Sequence, residues 1–102
     1  MTTALDILTV LDEAIDGIDT SHLAIFRAPR DFLLEHRDPG EHGCDRLDLL
    51  ASMSSDGEQV WLDYTTPEPG MAGGYMWSHE PYSLESERSE FVAAVRDWVT
   101  SH

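Results

Sequence analysis

The chain predicts an α+β fold: an N-terminal helix, an antiparallel meander of about four or five strands, and a C-terminal helix packed on the sheet. Three observations predict it. Apolar residues recur at helical spacing near each end, short segments between them alternate apolar and polar residues, and turn-forming clusters separate those segments. A length of 102 residues suits one domain, 1–102, because one core of this size is viable and there is too little chain for two.

The first helix is expected from Thr3 to Ile18, with Thr2 or Thr3 as N-cap and Asp6 in the first turn, where the helix dipole favours a carboxylate. Leu8, Leu11, Ile15 and Ile18, with Ala4, Ile7 and Ala14 beside them, define an apolar face. Asp12, Glu13, Asp16 and Asp19 fall opposite it as an acidic stripe. His22 to Ala28 (HLAIFRA) is short, apolar and β-leaning. Pro29-Arg30 then interrupts the chain before Asp31 to Arg37 (DFLLEHR), which reads either as the second arm of a hairpin or as a helix from Pro29 to His36.

Asp38 to Gly43 is a loop by composition. Beyond it Leu47, Leu49, Ala51 and Met53 alternate with Asp48, Leu50 and Ser52, the pattern of a strand with one buried face. Ser55-Asp56-Gly57-Glu58 supplies a turn, and Gln59 to Thr66 returns as the next strand, making this hairpin the strongest β signal in the chain. After Pro67-Glu68-Pro69-Gly70, Met71 to Trp77 reads as an edge strand or a Gly-softened loop. Ser86 to Thr100 forms the last helix, with Phe91, Val92, Val95, Trp98 and Val99 on one stripe.

Charge is the main functional signal. Twenty acidic residues stand against six basic ones, giving a net charge of −14 at pH 7, and every cation is Arg. From Leu47 through Glu87 there are eight acids and no cation. Such a chain repels nucleic acid and anionic membranes, so the expected partner is a basic protein, with no direct nucleic acid and no membrane. The absence of a long apolar run and of an N-terminal signal pattern implies a cytoplasmic protein, in the host cell if it is phage-encoded. Cys44, the single cysteine, cannot form an internal disulfide and fits a reducing compartment.

The residues that bear chemistry match no enzymatic pattern. Glu35 to Asp45 holds His36, His42 and Cys44 among four carboxylates, all metal-ligand types, and these three are the place to look for a metal. Their spacing nevertheless fits no zinc or calcium motif and reads rather as a polar loop between two sheet elements, so no metal and no cofactor is assigned. Cys44 lies beside Asp45, a field that disfavours thiolate, so it reads as a small space-filling thiol. No nucleophile elbow, phosphate loop or dinucleotide fingerprint occurs, and the protein is expected not to be an enzyme.

The remaining candidates are surfaces. Met71 to Tyr82 mixes glycines with Met, Tyr and Trp, residue types enriched at interfaces, and reads either as a contact surface or as a segment whose Tyr75, Met76 or Trp77 completes the core under the C-terminal helix; alternation puts Tyr75 and Trp77 on one face and Met76 on the other. Asp12, Asp16 and Asp19 form one acidic group, and Asp48, Asp56, Glu58 and Asp63 a second. An unpaired edge near Gly73-Gly74 or an exposed Trp could support a homodimer.

In size, charge and element order the chain resembles the acidic DNA-mimic inhibitors of phage origin, including some anti-CRISPR proteins, and the immunity proteins that block nuclease toxins. More loosely, its helix-meander-helix order is similar to that of bacterial secretion chaperones. These likenesses imply a non-enzymatic inhibitor that presents a nucleic-acid-like negative surface to a basic, nucleic-acid-handling partner. The competing expectations are an immunity protein or chaperone-like binder of a basic client, and an ordinary intracellular domain of a salt-adapted organism whose charge is environmental.

Overall fold

A computed structural model describes the backbone of residues 4–102 and the side chains from residue 7 onward. The element order is α1 (Ala4–Ile15), β1 (Leu23–Ala28), β2 (Asp31–His36), a short 3-10 helix (Pro39–His42), β3 (Asp48–Met53), β4 (Val60–Pro67), β5 (Tyr75–Tyr82) and α2 (Arg88–Ser101). The five strands form an antiparallel meander in sequence order, each hydrogen-bonded to its neighbours in the chain. This is the expected α+β arrangement. Among the described residues no helix is long and apolar enough to cross a membrane.

The pairing register sorts the strand residues into two faces. Leu34, Leu49, Tyr64 and Ser78 lie in one row across four strands, and Phe32, Ala51, Leu62 and Glu80 in the next. Phe32, Leu34, Leu49, Ala51, Val60 and Leu62 on this face are fully buried, and they share one cluster with Ile7, Val10, Leu11 and Ala14 of α1 and Phe91, Val95, Trp98 and Val99 of α2. Both helices therefore cover the same face. Burial of each large side chain contributes roughly 1.5–3 kcal/mol, which is why the apolar stripes of α1 and α2 dictate where the helices sit.

The helices are also tied to each other and to the sheet. Arg88 of α2 donates to Glu13 of α1 at 2.9 Å, and Arg96 reaches the carbonyls of Ala14 and Asp16. At the C-terminal end of α2, His36 Nε2 and His42 Nε2 lie 3.0 and 2.7 Å from the His102 carbonyl oxygen, and His22 Nε2 lies 3.3 Å from that of Val99. Helix ends leave their last carbonyls without intrahelical donors, and here three imidazoles from the β1–β3 end of the sheet meet them.

Several expectations need correction. The helix stops at Ile15 rather than Ile18 because Gly17 adopts φ +73°, the left-handed conformation that closes a helix, and Ile18 N–H turns back to the Ile15 carbonyl. The N-cap assigned to Thr2 or Thr3 lies outside the described residues. Residues 31–36 are strand, not helix: Phe32, Leu34 and His36 alternate as buried positions between β1 and β3. The last strand begins at Tyr75 and runs to Tyr82, with residues 71–74 in the loop before it. Pro81 is tolerated there because β5 is an edge strand.

The edge expected near Gly73-Gly74 is already occupied within the chain. Gly73 donates to the Gly43 carbonyl at 2.9 Å and accepts from Asp45 N–H at 3.0 Å, while Gly74 bonds Met71 and Glu68. These contacts make a parallel bridge between Cys44 and Gly73 that anchors the loop before β5.

Candidate functional site: the uncovered sheet face

The second sheet face carries no helix. Its rows run Phe26, Leu33, Leu50, Asp63, His79 and, one step along, Ala28, Asp31, Ser52, Trp61, Pro81. A further row joins Glu35 to its partner Asp48, whose N–H donates to Thr65 Oγ1 at 2.9 Å, and then Thr65 to its partner Trp77. Polar residues ordinarily dominate a solvated face. Here Phe26 is 53% exposed and Trp77 62%, with Tyr75 and Leu50 also open to solvent. Large apolar groups left bare together mark a contact surface more than a single exposed Leu does.

A hollow of about 620 Å³ lies in the middle of this face. Leu33 and Leu50 give it apolar lining, and Glu35, Asp48 and Asp63 bring carboxylates, with Arg46, Trp77 and His79 completing it. Arg46 Nε donates to Asp48 Oδ2 at 2.8 Å, and its guanidinium carbon stands 5.9 Å from the centre of the Tyr75 ring. The imidazole Nδ1 of His79 contacts Asp63 Oδ1 directly. The Glu35 side chain makes no hydrogen bond or ion pair among the described residues, so it is the carboxylate of the hollow with its acceptors open.

The aromatic side chains form a ladder. Trp61 and His79 are stacked, with ring centroids 4.3 Å apart and planes 6° from parallel, and Trp77 continues the stack at 5.6 Å and 23°. The β4–β5 register brings these rings together: Trp61 opposes Pro81 and Asp63 opposes His79, which makes Trp61 and His79 diagonal neighbours on one face. The lining includes no hydroxyl or thiol.

The residues singled out from the sequence divide unevenly. Asp48, Asp63 and Trp77 meet in the hollow, and Tyr75 sits at its edge beside Arg46. Asp56 and Glu58 belong to the far β3–β4 turn, where Asp56 accepts from Ser54 Oγ at 2.6 Å and from Glu58 N–H at 3.0 Å. The Ser54 hydroxyl, then the Glu58 N–H, holds the Asp56 carboxyl below its ordinary range. Asp12 pairs with Arg27 at 2.8 Å, and Asp16 and Asp19 lie past the helix end, Asp19 accepting from Ser21 N–H. Asp12, Asp16 and Asp19 thus do not form one helical stripe.

His36 and His42 do come together, 4.9 Å between ring centroids, but each points a nitrogen at the His102 carbonyl, and His36 Nδ1 accepts from Asp38 N–H. Cys44 is buried with its thiol toward the Pro39 carbonyl. Among the described residues no three such side chains are arranged to hold a metal ion. Leu33, Glu35, Arg46, Leu50 and Trp61 are the site residues the sequence did not single out. Leu50 and Trp61 carried a usable signal, being apolar residues in the polar register of their strands.

Comparison with family models, with curated proteins and with solved structures yields no match.

Proposed function

We propose that this protein is a non-enzymatic binding protein that occupies the nucleic-acid-binding surface of a basic protein partner. The observation that carries the proposal is the stacked ladder Trp61–His79–Trp77 flanked by Asp48, Asp63 and Glu35 on an uncovered sheet face. Single-stranded nucleic acid offers a protein two things, planar rings that stack and negative charges beside them. The uncovered face offers the same pair, and the net charge of −14 steers a basic surface toward it. The α1 acids contribute less to this reading, since Asp12 and Glu13 are already paired with Arg27 and Arg88.

The test is capture from cell extract on the immobilised protein, in parallel with a Trp77→Ala, Asp63→Lys variant, followed by a nucleic-acid displacement assay on whatever the variant fails to retain. The expected result is a nucleic-acid-binding protein that loses its nucleic acid when this chain is added, with the effect falling steeply between about 50 and about 300 mM salt. Recovery of the same proteins by the variant, or a captured protein that keeps its nucleic acid, overturns the proposal.

A further inference from the structure

We infer that the uncovered face selects arginine over lysine in its partner, taking guanidinium groups along an extended segment that crosses the strands between Trp77 and Glu35. This rests on the proposed function, because it names the side chain by which a basic partner is held.

Three observations support it. Trp77 is 62% exposed and stacks on His79 through one side, and among the described residues no ring covers its other side. A guanidinium is planar and weakly hydrated and stacks on such a surface, whereas an ammonium is a compact, strongly hydrated charge. The chain already holds one of its own arginines in this manner: Arg46 lies between the Asp48 carboxylate and the Tyr75 ring on the same face. Finally, Glu35 presents a free carboxylate, whose two oxygens match the paired N–H groups of a guanidinium.

The row Glu35, Asp48, Thr65, Trp77 places the two ends of the site three strand spacings apart, about 14 Å. An extended chain covers that distance in about four residues, with alternate side chains facing the sheet. Leu33 and Leu50 then accept the methylene stems that long cationic side chains lay along apolar surface.

The experiment compares two octapeptides of equal charge, one alternating arginine with serine and one alternating lysine with serine, titrated at the same salt. Binding is read by tryptophan fluorescence and by amide chemical-shift mapping. The arginine peptide is expected to bind about fivefold tighter or more, with shifts on the outward residues of β2–β5. Trp77→Ala should remove that preference, and Glu35→Gln should weaken the arginine peptide; both side chains are exposed, and circular dichroism confirms that each variant folds. Equal affinity of the two peptides at this face, or a preference that survives Trp77→Ala, overturns the arginine inference and leaves the basic-partner reading standing. Binding mapped to another surface, or by neither peptide at about 50 mM salt, overturns both.

Discussion

The indole N–H of Trp98 on α2 donates to the carbonyl oxygen of Thr65 on β4 at 2.8 Å, in a buried contact between residues 33 apart in the chain. Thr65 is itself fully buried, and its hydroxyl accepts from Asp48 N–H and lies 3.3 Å from the Arg46 carbonyl. One residue therefore joins the C-terminal helix to the start of β3, the strand that carries Asp48 into the hollow. Trp98→Phe keeps most of the apolar bulk and leaves the Thr65 carbonyl unpaired, so it should cost about 1–3 kcal/mol. Urea unfolding with an unchanged m-value checks this.

Gly73 has φ +76°, and a Cβ there would stand 2.7 Å from Asp45 Oδ2. Gly73→Ala should destabilise by about 2 kcal/mol or more, from the left-handed backbone together with the contact. In an Asp45→Ala background the contact disappears and only the backbone part remains. A thermal melt of the four proteins in that cycle measures the difference.

Burial, then the neighbouring His42 and His36, holds the His102 imidazole below its ordinary value of 6.5, with His22 acting in the same direction and Asp97 opposing. The unfolded chain therefore takes up this proton more readily than the folded one. The contribution to stability is present above pH 6.5 and is lost as pH falls from there through the lower folded value. His102→Gln should flatten the dependence of unfolding free energy on pH between about 7.5 and about 5.5, a window above the ordinary carboxylate range.

Asp12 and Arg27 form an ion pair whose side chains are 65% and 47% exposed. Exposed pairs of this kind contribute little after solvent screening. Asp12→Asn should leave the melting temperature within experimental scatter in moderate salt, in contrast to substitutions at Trp98 or Gly73.

The parts of the fold legible in the sequence are those where one face is buried and the other is not. Leu8, Leu11 and Ile15 mark α1, Phe91, Val95 and Trp98 mark α2, and Leu47 through Met53 alternate as β3 does. β5 is harder to read because it is an edge whose two faces are both partly open: Tyr75, Met76 and Trp77 are all exposed and none of its residues is fully buried. Gly17 sat where a helix stop belongs, yet Ile18 continued the apolar spacing and masked it. The candidate site was legible only in pieces. Asp48, Asp63, Tyr75 and Trp77 stood out by type, but the hollow depends on β2 lying beside β3 and on Leu33 and Glu35 facing outward, and that register follows from β2 being a strand at all.

The uncovered sheet face has a colloidal consequence. A surface bearing Phe26, Leu50 and Trp77 would draw identical molecules together if they were neutral, and the unsatisfied edges of β1 and β5 would extend the contact. At pH 7 every copy carries the same charge of −14, and this like charge opposes the approach of one bare aromatic face to another. That protection vanishes toward the isoelectric point near pH 4.3. The same acidity sets the pH range over which like charge opposes self-association through this face.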